Sequence, residues 1–293
     1  MSVPFVDTHL HLFDLSLPDL AYGWLDNDVD PTLGPVSELK RTPWDARRFA
    51  RDARHVDLLA SVHVQAASPG DPLAETEWLL AQRQEAGLPQ AIIGRAELLA
   101  DDVEDAIDRQ LEATSLLRGV RDMTMPGSFD DPRLDRALAA LDARGLSWDL
   151  HCFHEEMPAV RDIARRYPEL PIALGHVGFP LRRDEAYRGA WEAGIVALAE
   201  AENVVCKVSG LGMADHDWTV DSWRPWVRHC LETFGPERCM FGSNWPVESL
   251  YGSYDAIVAT YEALTADLDP GERQGFFAGN AARHYRLDLK EDA

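Results

Sequence analysis

The chain has 293 residues, of which 46% are hydrophobic, and carries a formal net charge of −22 at pH 7. This acidity argues against binding to the phosphate backbone of nucleic acids, which requires a basic surface. No apolar run comes close to the ~20 residues of a membrane span, and the N-terminus lacks the basic and apolar regions of a secretory signal. We therefore expect a cytoplasmic protein that acts on a small molecule, with homo-oligomerisation left open.

Short apolar runs alternate with longer amphipathic segments along the chain. The runs predict strands at residues 4–6, 58–65, 91–95, 117–121, 147–151, 172–175, 204–208 and 240–242. Helical patterns lie between them, at residues 72–86, 102–113, 132–143, 157–167, 185–201, 222–234 and 254–264. This alternation indicates parallel βαβ units, and eight of them favour one (β/α)8 barrel domain over residues 1–293. An open doubly wound sheet is the alternative, but no GxGxxG motif follows any predicted strand.

The segment from residue 15 to residue 43 is too long for an ordinary strand-to-helix connection. It is rich in Pro, Asp and Leu and carries Trp24. In a barrel it would lie over the C-terminal mouth as a lid or pocket wall, with Trp24 as a candidate substrate contact. A surface loop with incidental aromatic residues is the alternative interpretation. At the other end of the chain, the last residues, LKEDA, are expected to fray.

The motif VDTHLHLFDL at residues 6–15 places Asp7, His9 and His11 on alternate positions. Residues two apart on a strand point to the same side, which in a barrel is the interior near the mouth. Imidazoles in this position can bind a metal ion if other strands contribute further ligands. The motif alone is therefore a weak indication of a metal site.

Polar residues also stand at the ends of three later predicted strands. His151 ends the fifth strand, His176 the sixth, and Asn244 follows the eighth. Polar residues at the C-terminal ends of barrel strands are typical of active sites. A lone histidine at a strand end is more often a hydrogen-bonded structural residue, but four histidines at three such ends predict one shared site.

With these motifs in view, the chain resembles the amidohydrolase superfamily, in particular its sugar-lactone and 2-pyrone-4,6-dicarboxylate lactonase branch. The resemblance covers nearly the whole chain. It rests on VDTHLHLFD at 6–14, VQAASPGDPLAETEWLL at 64–80, LRGVRDM at 117–123, LSWDLHC at 146–152, PIALGHVGFP at 171–180, NVVCKVSGL at 203–211, RCMFGSNWPVE at 238–248 and FFAGNAARHYRL at 276–287.

The resemblance implies a distorted barrel of the metallo-dependent-hydrolase type and the opening of a lactone ring by water. It implies that one divalent ion, with zinc as the first expectation, is held by a set of histidines, although members of the branch differ in metal use. Asn244 stands where the family usually has an aspartate that activates water, which puts the identity of the base in doubt. The ligand set implied by the resemblance is His9, His11, His151 and His176.

Two mechanisms follow for such a site. A metal-bound hydroxide would need no separate strong base, whereas without a metal His176 is the expected base. Asp122 is a spare carboxylate after the fourth strand, and Lys207 a cation in an apolar strand. Each has a structural alternative, a loop cap or pairing with Arg121 for Asp122, and an ion pair with Asp7 or Asp149 for Lys207. The remaining candidate substrate contacts are Arg121 and Trp245.

Two other functions stay open at this stage. A nonoxidative decarboxylase of a small unsaturated or aromatic acid would use the same barrel, but such enzymes depend on a metal-binding aspartate where this chain has Asn244. A non-catalytic protein that kept the pocket and lost the base is the third hypothesis.

Overall fold

The computed structural model of the protein describes residues 3–289. Within them, eight parallel strands form one sheet in the order of the sequence, each connected to the next by helical segments. The strands of this sheet are β1 (Phe5–Leu10), β4 (Leu58–Val64), β5 (Ala91–Arg95), β6 (Leu117–Arg121), β7 (Ser147–Leu150), β8 (Ile172–Leu174), β9 (Val204–Val208) and β10 (Cys239–Phe241). The predicted (β/α)8 barrel is confirmed.

The barrel closes through the segment that follows β10. The N–H of Asn244 donates to the carbonyl of His9, and the N–H of His11 donates to the carbonyl of Trp245, both at 2.7 Å. Leu10 and Trp245 form an isolated parallel bridge at the same place. The closure therefore brings the motif that opens the chain directly against the strand-eight motif, about 230 residues later.

Helices with buried apolar stripes surround the sheet. Two of them show local capping in the first turn. Asp71 accepts from the N–H of Leu73 at the start of the helix Pro72–Ala86, and Thr219 and Ser222 form a capping box at the start of the helix Val220–Phe234. The helices are α1 (Ala46–Asp52), α2 (Pro72–Ala86), α3 (Val103–Ala113), α4 (Leu134–Ala143), α5 (Met157–Arg166), α6 (Glu185–Ala199), α7 (Val220–Phe234), α8 (Tyr254–Leu264), α9 (Pro270–Gln274) and α10 (Asn280–Tyr285). None of the helices in the described part of the chain is long and apolar enough to cross a membrane.

Residues 15–43 contain little regular structure. They carry a 3-10 turn (Gly23–Leu25) and a short hairpin of β2 (Val29–Asp30) and β3 (Gly34–Pro35). Backbone bonds attach the segment to the loop after β4, because Ser68 donates to Ala21 and Gly23 donates to Ser68, both at 2.8 Å. The segment is thereby held beside the C-terminal end of the barrel.

Element boundaries differ from the predictions mainly at β1 and at short helices. β1 extends to Leu10 rather than ending at Val6, so Asp7 and His9 are strand residues. Helices α1, α9 and α10 were not predicted, because five to seven residues are too few to show a clear apolar period. Of the end expected to fray, residues 290–293 lie outside the described residues.

Candidate active site

A cavity of about 560 Å³ opens at the carboxyl ends of the barrel strands. It is lined by polar side chains from the ends of β4, β6, β7, β8 and β10 and by His11, which follows β1. The segment 15–43 contributes Gly23, Trp24, Asp30, Thr32 and Leu33 to its lining. The sequence-predicted residues that line it are His11, Arg121, His151, His176 and Asn244, together with Trp24.

Asp7 does not face this cavity but joins β1 to the loop after β10. Its carboxylate accepts from the N–H of Ser243 at 2.9 Å, the hydroxyl of Ser243 at 2.6 Å and the hydroxyl of Tyr254 at 2.9 Å. Burial raises the pKa of Asp7, and these hydrogen bonds oppose the rise. Asp7 therefore fixes the position of the residue immediately before Asn244.

The histidines at the ends of β1 and β8 pack ring against ring. The ring centroid of His9 lies 5.0 Å from that of His11 and 4.1 Å from that of His176. His11 donates from Nδ1 to the carbonyl of Val64 at 2.7 Å, and this leaves its Nε2 unprotonated in the neutral form. Nδ1 of His176 lies 2.8 Å from Oγ of Ser209, and this contact fixes the orientation of the His176 ring.

All of these imidazoles are neutral at pH 7. Burial lowers the pKa values of His9, His11 and His176 well below 6.5, and nearby positive charge lowers them further. The pKa of His151 falls to about 3, first through burial and then through the charge of Arg121. The four imidazoles thus offer lone pairs and N–H donors, and the fixed positive charge of the site comes from another residue.

Arg121 supplies that charge. Its guanidinium is 8% exposed, and Nε donates to Oε1 of Gln65 at 3.2 Å, while a second nitrogen donates to the carbonyl of Gln65. Nη1 lies 3.4 Å from Nε2 of His9. Burial lowers the pKa of Arg121 to about 10, so it remains charged at neutral pH. Within residues 3–289 it forms no ion pair with a carboxylate.

Asn244 takes a left-handed backbone conformation, with φ of 58°, which turns its side chain into the cavity. Behind it lies Glu248, whose carboxylate is 1% exposed. Burial raises the pKa of Glu248 to about 8, against the opposing effects of the Asn244 amide, the N–H groups of Gly212 and Met213, and the charge of Arg183. Glu248 is therefore largely protonated at pH 7.

Two glycines leave room for the histidines. A Cβ on Gly210, where φ is +68°, would collide with Nδ1 of His176. A Cβ on Gly242 would lie 2.9 Å from Cβ of His9. His176 itself has a φ of 49°, an uncommon conformation for a residue with a side chain. The glycines of the KVSGL and FGSNW motifs thus permit the close approach of β1, β8 and their neighbours.

His9, His11 and His176 of the predicted ligand set lie together, with Nδ1 of His11 and of His176 engaged by Val64 and Ser209 as is typical of metal ligands. As the side chains are placed, however, no three His, Cys, Asp or Glu residues among the described ones form a set that could hold a metal ion. Nε2 of His9 faces the guanidinium of Arg121, whereas its Nδ1 is buried without a hydrogen-bond partner among the described residues. As placed, the residues do not fit a resident ion.

Three other predicted site residues lie outside the lining of the cavity. Asp122 accepts from the N–H groups of Leu98 and Thr124 at 2.8 Å, as a loop cap. Lys207 is fully buried and pairs with Asp149. Trp245 is buried against aromatic rings and donates from Nε1 to Asp52 at 3.1 Å. For Asp122 and Lys207 the structural alternatives describe the observed contacts, and Trp245 packs in the core.

Sequence reasoning missed two parts of the site. Gln65 holds the guanidinium of Arg121, and a glutamine that ends a strand is a usable signal for such a role. Glu248 belongs to the RCMFGSNWPVE motif, but the burial of its carboxylate in the 3-10 turn Val247–Leu250 after β10 has no sequence signature. Glu75, a buried acid of α2, supports the loop after β4, because it accepts from the N–H groups of Ala66 and Ala67 at 2.8 Å.

The geometry can now be set beside known proteins. The sequence model of the Amidohydrolase family matches residues 6–287 of this chain. The chain belongs to the amidohydrolase family. This confirms the resemblance seen in the sequence and the expectation of a hydrolase.

Two curated relatives of this amidohydrolase span its whole length. An uncharacterized protein of Sinorhizobium fredii, y4mH, is 33% identical and covers 97% of this chain and 99% of its own. An L-fucono-1,5-lactonase of Burkholderia multivorans is 32% identical and covers 98% of both chains.

Solved structures show the same barrel. A crystal structure of an amidohydrolase from Burkholderia multivorans with bound zinc has a TM-score of 0.84 and 26% identity, covering 98% of this chain and 100% of that one. The 5-carboxyvanillate decarboxylase of Sphingomonas paucimobilis has a TM-score of 0.63 at 18% identity, over 98% of this chain and 100% of that one, and shares the fold alone.

Proposed function

We propose that this amidohydrolase opens the ring of a small lactone with water. The observation that carries the proposal is that Arg121, His176 and Asn244 line one cavity, so that a cation, a neutral base and an amide meet at the same substrate. The relative named L-fucono-1,5-lactonase supports an ester-type ring as the substrate. A sugar lactone or a small carboxylated lactone is the first class to test.

Ring opening needs an activated water, a partner for the carbonyl oxygen and a proton for the leaving oxygen. In the tautomer that donates from Nδ1 to Oγ of Ser209, 2.8 Å away, His176 presents Nε2 as the acceptor for a proton of water. Water oxygen bonds to the carbonyl carbon, and the electron pair moves to the carbonyl oxygen beside Arg121. The ring C–O bond then breaks, and Nε2–H of His176 protonates the ring oxygen to give the hydroxy acid.

Because its pKa is low, His176 can accept the proton of water only when negative charge develops next to it. In the free protein Arg121 disfavours the imidazolium. As the carbonyl oxygen becomes an oxyanion, it offsets the guanidinium charge and raises the proton affinity of His176. Asn244 holds the water, because an amide can accept from it or donate to it without changing its own protonation.

Acid release from a lactone panel, followed with a pH indicator, tests the proposal. We expect His176→Asn to lower kcat about 10²–10⁴-fold, as for loss of a general base. His229→Asn is the matched control, since His229 lies on α7 and bonds to the carbonyl of Glu192 at 3.2 Å. Failure of the wild-type protein to release acid from any lactone would leave the non-catalytic hypothesis standing.

The same preparation decides the metal and decarboxylase hypotheses. Turnover that EDTA abolishes and zinc restores would support the divalent ion and the ligand set of His9, His11, His151 and His176, against the placement described above. Carbon dioxide release without ring opening would favour decarboxylation, which only fold-level similarity supports at present. Metal content is measured by elemental analysis of the purified protein.

A further inference from the structure

The walls of the cavity are apolar, in contrast to its floor. Met123 and Leu181 line it and are 42% and 41% exposed, which makes them two of six strongly exposed large hydrophobic side chains among residues 3–289. Phe153 and Phe179 continue the same wall, with ring centroids 6.2 Å apart. Exposed apolar groups gathered around a pocket are typical of ligand-binding surfaces.

A second part of the wall, from residues 15–43, offers few free polar groups. Trp24 donates its only polar hydrogen to the carbonyl of Ala66 at 3.1 Å, so its indole presents apolar surface to the cavity. Oδ1 of Asp30 accepts from the N–H groups of Thr32 and Leu33, both at 2.8 Å, so one of the two carboxylate oxygens is engaged within its own turn. Leu33 adds a further apolar side chain to this wall.

This distribution has a consequence for the substrate. A lactone with a hydroxyl on each ring carbon would place several hydroxyls against side chains that cannot hydrogen-bond, and an unpaired polar group is costly to bury. An alkyl or aromatic substituent would instead remove apolar surface from water on both partners. The polar groups of the floor suffice for the ester group itself.

Resting on the proposed lactone hydrolysis, we propose that the substrate is a lactone with an apolar substituent, which lies between Met123 and Leu181 on one side and Trp24 on the other. The ester group lies at Arg121 and His176, and the substituent points toward the mouth. The segment 15–43 then selects substrates by apolar contact rather than by recognition of hydroxyl groups.

Three six-membered lactones test this assignment: unsubstituted δ-valerolactone, pentyl-substituted δ-decalactone and polyhydroxylated D-glucono-1,5-lactone. We expect kcat/KM for δ-decalactone to exceed that for δ-valerolactone about 10-fold or more, mainly through KM, because pockets discriminate added methylenes by such factors. We expect D-glucono-1,5-lactone to be the poorest of the three.

Variants locate the preference. Met123→Ser and Leu181→Ser are expected to lower the kcat/KM ratio of δ-decalactone to δ-valerolactone several-fold. Val196→Ser, at an exposed apolar position on α6, is the matched control and should leave the ratio unchanged. Equal or better turnover of the polyhydroxylated lactone, or a ratio insensitive to both variants, would overturn this inference and leave lactone hydrolysis intact. Hydrolysis of none of these three lactones and of no other lactone in the panel that tests the proposed function would overturn that function itself, and the inference with it.

Discussion

Arg121 and Lys207 are both buried cations on barrel strands, yet their surroundings differ. Lys207 on β9 has 0% exposure, pairs with Asp149 and donates to the carbonyl of Thr8 at 2.9 Å. Arg121 at the end of β6 bonds only to neutral groups and faces the cavity. A buried cation that already has its carboxylate contributes to the fold, whereas one without a carboxylate remains available to an oxyanion.

The first way to break this comparison is to remove the structural cation. Lys207→Met leaves Asp149 buried without its cation, and we expect a loss of about 3–5 kcal/mol in the free energy of unfolding. Urea unfolding followed by circular dichroism measures it. The double variant Lys207→Met with Asp149→Asn should recover part of the loss, and a single variant as stable as the wild type would contradict the structural role.

Removal of the other cation should affect the reaction instead. Arg121→Gln is expected to lower kcat/KM about 10²–10³-fold, as for the loss of one oxyanion donor, with a much smaller change in stability. Arg95→Gln is the matched control, because Arg95 is equally 8% exposed at the end of the neighbouring strand but lines a different surface pocket. Equal activity losses in the two variants would remove the distinction drawn here.

Glu248 extends the comparison to an acid buried without a cation in contact. Its folded-state pKa of about 8 exceeds the ordinary value of 4.5, so the folded protein holds this proton more tightly than the unfolded chain. Stability therefore falls as pH rises from 4.5 to 8. Relative to Glu248→Gln, we expect the wild type to lose at most about 4 kcal/mol between pH 5 and pH 8. Urea titrations of both proteins at pH 5 and pH 8 would measure this loss. An equal change in the free energy of unfolding of the two proteins between these pH values would contradict the expectation.

The smallest expected effect concerns the position of the His176 ring. Gly210→Ala adds a Cβ against the His176 ring and costs about 1–2 kcal/mol for the left-handed backbone. A displaced His176 should lower kcat about 10–100-fold. Gly189→Ala on α6 is the control, since a Cβ there meets no atom within 4 Å. Unchanged kcat in Gly210→Ala would show that the ring position is not critical.

Much of the fold could be predicted from short-range patterns in the sequence. Strands β5, β6 and β9 and helices α2 and α8 have the predicted boundaries, because their apolar runs are bounded by clear turn residues. The gathering of polar strand ends also followed, since parallel strands in a barrel end at one rim. The identity of each residue's partner did not follow, because contacts such as Arg121 with Gln65 join positions 56 residues apart.

The sequence by itself therefore determined the barrel and the rim that carries the site, because these depend on local periodicity and handedness. Only the tertiary structure decided depth within the barrel. Alternation places Asp7 and His9 on one side of β1, but packing bonds Asp7 to Ser243 and places His9 beside His176. Packing likewise pairs Lys207 with Asp149 and leaves Arg121 without a carboxylate partner among the described residues. Burial and pairing are set by residues distant in the chain, so local patterns do not show them.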